Sequence, residues 1–380
     1  MSHKIATRCI HSESPEFKKQ PLGSVSVPIY ATTIFSHPGI GENEGYNYTR
    51  ESNPTRAYLE DIVTNLEGAY DTVATSSGMA AISIVLSLFK AGDHIICSKD
   101  LYGGTVRIFE MYEDYGMSFS YVDTSDLQKT IASIQTNTKA FYIETPSNPT
   151  MQITDLKELK KIADKHNILI IVDNTFLSPY FQNPIEYGAD LVLHSGTKFL
   201  CGHNDVIAGL LSSKSQQLAQ KIRLIYKTFG SCLSPYDSYQ LIRGIKTLAI
   251  RQDKQQENAM KIAHWLKEQK QVKRVYYPGL TEHPGYEINK KQARGFGSMI
   301  SFQVDCQETA RKILENVKVI TYAESFGGVE SLITYPMVQT HPDVPVDVRE
   351  ALGITDTFLR FSVGIEDVED LIDDLKQAMA

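Results

Sequence analysis

Ile168-Leu-Ile-Ile-Val-Asp173, followed after a short gap by Asp190-Leu-Val-Leu-His-Ser-Gly-Thr-Lys198, decides how this chain folds. Each stretch opens as a short run that is apolar on both faces and closes on polar residues. Strands of that kind belong to parallel sheets whose two faces are both covered by helices. Outward from this pair the same pattern repeats. Further strand candidates are 72–75, 94–97, 118–122, 140–144 and 206–211, and helical candidates lie between most of them at 79–90, 105–115 and 155–166. Asn53-Pro54 starts a helix, with Asn as N-cap and Pro at the first helical position. Leu59, Ile62, Val63 and Leu66 continue it at helical spacing, and Gly68 is its stop. The alternation predicts an α/β fold with a mostly parallel, doubly wound sheet.

Beyond about residue 245 the texture changes. Residues 251–269 read as a long polar amphipathic helix that carries the single tryptophan, Trp265. Strand-like segments follow at 272–277, 299–304 and 359–363, with helices at 308–316 and 368–379, as in a smaller C-terminal α+β domain. Residues 1–45 are rich in Ser, Pro, Gly and His and show little periodicity. The expected division is an arm over 1–45 that leans on a neighbouring subunit, a cofactor domain over 46–248, and the α+β domain over 249–380.

The chain has 380 residues, 42% hydrophobic and 22% charged, which is ordinary for a globular protein and excludes bulk disorder. It carries 38 basic and 45 acidic side chains, a net charge of −7, which argues against a nucleic-acid partner. Its five cysteines, Cys9, Cys97, Cys201, Cys232 and Cys306, are scattered and form no CxxC pair. That pattern fits reduced thiols in a cytoplasmic protein. No apolar leader is visible, and the best apolar stretch, 79–89, is too short to span a bilayer. The histidines, His194, His203, His264, His283 and His341 among them, lack metal-ligand spacing, so no metal is expected.

In an open parallel sheet, ligands bind beyond the carboxyl ends of the strands. Ser76-Ser77-Gly78-Met79-Ala80 opens a helix there, either as an anion site or simply as a capped start. Asp173 ends its strand, as a turn residue or as a partner for a protonated ring nitrogen. Ser195-Gly196-Thr197-Lys198 adds two hydroxyls and one amine, the amine being either solvated surface or a desolvated Schiff-base lysine. Taken in order, the three motifs offer phosphate binding, pyridinium pairing and an amine for an aldehyde. Those are the requirements of pyridoxal 5′-phosphate (PLP). No P-loop or dinucleotide fingerprint competes with them.

These motifs, together with Val27-Pro-Ile-Tyr30, Tyr48-Thr-Arg50, Tyr102-Gly-Gly-Thr105, Glu144-Thr-Pro-Ser-Asn-Pro149, Asp173-Asn-Thr-Phe176 and Ala323-Glu-Ser325, resemble the PLP-dependent enzymes of cysteine and methionine metabolism. The resemblance runs over nearly the whole chain. It implies PLP fold type I, the aspartate-aminotransferase-like fold, and a homotetramer built from two tight dimers that share active sites. By the same resemblance, Lys198 holds the cofactor and shuttles protons, Asp173 pairs with the pyridine nitrogen, and Tyr102 stacks on the ring. Ser77, Gly78, Met79, Thr175, Ser195 and Thr197 are the further cofactor contacts, with Tyr48 and Arg50 reaching the phosphate from the neighbouring subunit. Arg360 binds the substrate α-carboxylate, with Ser325 and Asn148 nearby.

Within the family, Arg107 resembles the arginine that handles a distal carboxylate, and Glu324 the acidic residue of the γ-synthases and γ-lyases. The run from Glu324 to Pro336 looks most like bacterial γ-synthases. The implied reaction is γ-replacement on an O-acylhomoserine by cysteine, giving cystathionine, with cleavage of cystathionine by a γ- or β-lyase reaction as the alternative and a non-catalytic small-molecule-binding protein on the same fold as the reading from another class. Lys227, Gln339 and Asn47 depart from the usual pattern, so the nucleophile and leaving group stay open.

Overall fold

The computed structural model describes residues 3–340, 349–350 and 352–380. His341 lies outside the described residues. Seven strands, β1 (Asp71–Thr75), β2 (His94–Ser98), β3 (Ser118–Val122), β4 (Thr138–Glu144), β5 (Leu169–Asp173), β6 (Leu191–Ser195) and β7 (Gly209–Ser213), form one sheet. Their order is β1-β7-β6-β5-β4-β2-β3. Alternate residues of β5 feed opposite faces. Ile171 packs with Ile82, Val85 and Phe109 on one side. Ile170 and Val172 pack with Leu156, Leu159 and Ala163 on the other. Helices therefore cover both faces, and this is why the strands are apolar throughout. Cutting Ile171 to alanine would cost about 2–5 kcal/mol, because the close-packed site cannot collapse fully.

The helix at Pro54–Glu67 starts as the sequence requires. Asn53 accepts a hydrogen bond from the Thr55 N–H, and Gly68 ends the helix at φ 67°. One strand departs from expectation. The predicted 206–211 strand runs instead over Gly209–Ser213, and it is antiparallel to both neighbours, β1 and β6. An apolar run carries no direction, and here the chain simply turns at Gly196–Lys198 and comes back. That turn is what places Lys198 at the sheet edge.

Five further strands, β8 (Val272–Tyr276), β9 (Met299–Val304), β10 (Thr321–Tyr322), β11 (Leu332–Thr334) and β12 (Phe358–Ser362), form a second sheet. Its order is β10-β11-β12-β9-β8. Ile262, Leu266, Ile313, Leu371 and Leu375 from three helices pack against Ile300, Phe302 and Phe361 of this sheet. The helix Leu248–Glu268 has 21 residues, about 30 Å of rise. It starts in the core beside the first sheet, through Leu248, and ends in the core of the second, through Ile262 and Leu266.

The N-terminal segment is not wholly unpartnered. A short helix, Ile5–Ile10, buries Cys9, in one core with Leu59, Ile62 and Leu248. Leu22, Val25, Ile34 and Ile40 further along stand exposed.

Candidate active site

A cavity of about 240 Å³ opens beyond the carboxyl ends of β4, β5 and β6. Its walls include Ser77, Gly78, Met79, Tyr102, Asn148, Asp173, Thr175, Ser195, Thr197, Lys198, Glu324, Ser325 and Arg360. Sequence reasoning nominated every one of these. A larger cleft of about 760 Å³, lined by Thr150, Ile153, Arg274 and His283 among others, does not reach Lys198.

The anion end of the cavity is built by the helix Gly78–Leu86. Ser77 caps it by accepting the Ala80 N–H at 3.1 Å. The first N–H groups of a helix have no partner within it and point outward. Gly78 keeps the cradle open: a Cβ there would sit 3.2 Å from Ser195 Cβ and crowd it. Thr197 Oγ1 accepts the Ala208 N–H at 3.0 Å, which fixes its rotamer beside the cradle.

Also in the cavity wall, Asp173 accepts from the Thr175 N–H at 3.0 Å and from Thr175 Oγ1 at 2.5 Å. Thr175 Oγ1 in turn accepts the Ser195 N–H at 2.9 Å, so one threonine ties β5 to β6. Burial pushes the Asp173 carboxyl up, while the Thr175 bonds hold it back. A cationic ring nitrogen would complete that balance.

Lys198 lines the same cavity. Its Nζ donates to Ser325 Oγ at 2.7 Å and sits 4.8 Å from the Phe326 ring centroid. Burial first, then the Arg360 charge, pushes its pKa down to about 8, with Glu324 opposing. A lysine of that kind has free amine available near neutral pH. Ser325 holds a φ of 124°, rare for a residue with a Cβ. This strained backbone aims its hydroxyl at Lys198 and its carbonyl at Arg360.

Arg360, on β12, is buried. It donates to Asn148 Oδ1 at 2.9 Å, to the Ser325 carbonyl at 3.2 Å and to Thr334 Oγ1 at 3.3 Å. Its Nε is buried without a hydrogen-bond partner among the described residues. An orphaned buried donor is costly, and a ligand carboxylate would satisfy it. The outer rim is formed by Tyr102, which precedes the helix Gly103–Glu113. Gly104 leaves the space that the Tyr102 ring occupies.

Three nominated residues are not in this wall. Tyr48 and Arg50 are exposed elsewhere on the chain, with the Arg50 guanidinium 5.3 Å from the Tyr48 ring centroid and donating to the Lys227 carbonyl at 2.5 Å. Arg107 is exposed on the helix Gly103–Glu113 and does not line the cavity. Glu144, Phe326 and Ile207 line it without having been nominated. For Glu144 the signal was available, since it ends its strand as Asp173 does.

The cradle that a Cβ would crowd, the weakly basic Lys198 and the Asp173 carboxyl all fit PLP. Residues 6–380 match the family model described as Cys/Met metabolism PLP-dependent enzyme. A cystathionine beta-lyase of Lactococcus lactis is 48% identical over 376 residues, 99% of this chain and 98% of that protein. A cystathionine gamma-synthase of Haemophilus influenzae is 46% identical, covering 100% of this chain and 99% of that protein. The structure of a cystathionine gamma-lyase from Lactobacillus plantarum, complexed with L-serine, matches with a TM-score of 0.95. It is 44% identical, over 99% of this chain and 98% of that one. Fold and cavity thus define a PLP-dependent enzyme of fold type I, and the chain belongs to the Cys/Met metabolism PLP-dependent family. Among the described residues no group of His, Cys, Asp and Glu could hold a metal ion. No described helix is long and apolar enough to cross a membrane.

Proposed function

We propose that this enzyme carries out γ-replacement, joining an O-acyl-L-homoserine to L-cysteine to give L-cystathionine. The observation that carries this reading is Glu324. Its side chain lines the cavity together with Lys198 and Arg360, where it can hold the ammonium of a second amino acid. The bound cofactor supplies an aldehyde for Lys198 and an electron sink for the substrate carbanion. Arg360 binds the first substrate's α-carboxylate through its free Nε. Asn148 and Ser325 hold that guanidinium in place. Lys198 would take the proton from Cα, give it up to the electron sink and only then take one from Cβ; the acyl group would leave Cγ as a carboxylate, the cysteine thiolate would add at Cγ, and the protons would return to Cβ and Cα. Tyr102 closes the cavity over the ring and shares the proton traffic with Lys198. Asp173 keeps an anion opposite the ring nitrogen.

Tyr48 and Arg50 serve the phosphate site of a second copy in a homotetramer, whose interfaces would also cover Leu22, Val25, Ile34 and Ile40. Small amino acids are the substrates, and the cytoplasm is the expected compartment. Cleavage of cystathionine is the second reading, favoured because two of the three relatives above bear lyase names. Product analysis separates the two. Purified enzyme given O-acylhomoserine and cysteine should form cystathionine faster than it cleaves cystathionine added alone. The reverse order overturns the synthase reading.

A further inference from the structure

Glu144 ends β4 in register with Asp173 on β5. In a parallel pair such residues project to the same face, roughly 5 Å apart. Both line the cavity, so two carboxyl groups share the space beneath the cofactor site. Their surroundings differ. Asp173 accepts two hydrogen bonds from Thr175. Glu144 accepts one among the described residues, from the Tyr102 N–H to its Oε2 at 3.3 Å.

The groups facing Glu144 come from its own strand and three further elements. Asp173 lies beside it on β5. Asp100, with Tyr102, lies on the segment after β2, and Asp100 is itself held by the hydroxyls of Ser147 and Thr150. Tyr142 shares its strand. Arg360, on β12, is the cation that favours the charged form of Glu144, and it already serves Asn148, Ser325 and Thr334. Two carboxyl groups side by side do not both ionise readily, and the better-solvated one takes the charge. Asp173 has the two donors, so the proton stays on Glu144. Burial first, then the charges of Asp173 and Asp100, push the Glu144 carboxyl well above its ordinary value.

We propose that Glu144 is a positioning residue kept as the neutral acid: it anchors the Tyr102 backbone while leaving Asp173 the only anion facing the ring nitrogen. The Tyr102 carbonyl accepts the N–H groups of Thr105 and Val106 at the start of the helix that follows, and its N–H bond to Glu144 adds the tie from the strand side that helps set where its ring closes the cavity. A charged Glu144 would hold Tyr102 as well, but it would also place a second negative charge beside Asp173 and compete for Arg360. The proposal rests on the reading that Tyr102 covers the cofactor, yet its protonation half can be tested without any reaction.

The cofactor-free protein at pH 8 should show the infrared C=O stretch of a protonated carboxylic acid, and Glu144→Gln should remove it. At that pH Asp100, whose pKa burial lifts only to about 6, is ionised and does not contribute. In the holoenzyme, Glu144→Ala should lower kcat about tenfold with KM little changed, as a misplaced catalytic group does. Glu144→Gln, neutral and still an acceptor for the Tyr102 N–H, should recover most of that loss and leave the pH midpoint of the visible absorbance in place. Absence of the infrared band, or a midpoint moved by about one pH unit in Glu144→Gln (tenfold in proton affinity), would show an ionised Glu144 and overturn the proposal. A glutamine variant as impaired as the alanine variant would overturn it too. Failure of the synthase assay alone would leave the infrared result standing.

Discussion

Replacing Lys198 by methionine is expected to stabilise the cofactor-free protein, and to do so only where the lysine would be charged. Methionine keeps the unbranched stem and removes an ammonium whose pKa is lowered from 10.5 to about 8 by burial and Arg360. In the unfolded chain the group keeps its ordinary value, so the folded state binds this proton less tightly. Between pH 8 and 10.5 the unfolded chain is protonated and the folded one is not. The resulting penalty grows as pH falls through that window, is complete below about 8, and vanishes above 10.5. One pH unit is worth about 1.36 kcal/mol, so the penalty is about 3 kcal/mol at pH 7 and under about 1 kcal/mol at pH 10. Losing the Lys198–Ser325 hydrogen bond returns about 1 kcal/mol at either pH. The net expectation for Lys198→Met is a gain of about 2 kcal/mol at pH 7 and almost none at pH 10. Denaturant unfolding of both cofactor-free proteins at the two pH values measures it, because other titrating groups cancel in the comparison. A gain that is the same at both pH values, or no gain at pH 7, would refute the idea that this pocket disfavours the ammonium.

Asn148→Ala takes an acceptor from the buried Arg360 guanidinium. With a cost of about 1–3 kcal/mol for such a loss, steady-state kinetics should show KM for the amino-acid substrate raised about tenfold. Gly78→Ala places a Cβ 3.2 Å from Ser195 Cβ. Crowding of that order costs about 1–3 kcal/mol, so dialysis followed by absorbance should show faster loss of cofactor. If sites are shared between copies, Arg50→Ala and Lys198→Ala proteins, each inactive alone, should regain activity when refolded together. Light scattering on the same samples should give the mass of a tetramer.

Much of the site was legible because strand ends are legible. Asp173 and Lys198 close apolar runs too uniform to be anything but buried strands, and the rule for parallel sheets places their ends at a ligand. The same rule applies to Glu144, which closes the run Ala140–Glu144 as Asp173 closes its own. β7 was displaced toward its C-terminal end because Val206-Ile-Ala-Gly-Leu-Leu211 is apolar throughout and marks neither its start nor its direction. β10 and β11 span two and three residues, too few to show any period. Ser325 could not be foreseen as strained, since nothing in Glu324-Ser-Phe-Gly-Gly dictates a positive φ at the serine rather than at the glycines. Tyr48 and Arg50 are nominated by resemblance alone, and in this chain they are exposed and do not line the cavity.

The most direct measurement is the site of cofactor attachment. The purified enzyme should be yellow, and borohydride reduction followed by proteolysis and mass spectrometry should recover one pyridoxyl-modified peptide, with the label on Lys198. Label on another lysine, or none in a protein that still turns over substrate, would contradict the assignment of this cavity as the active site.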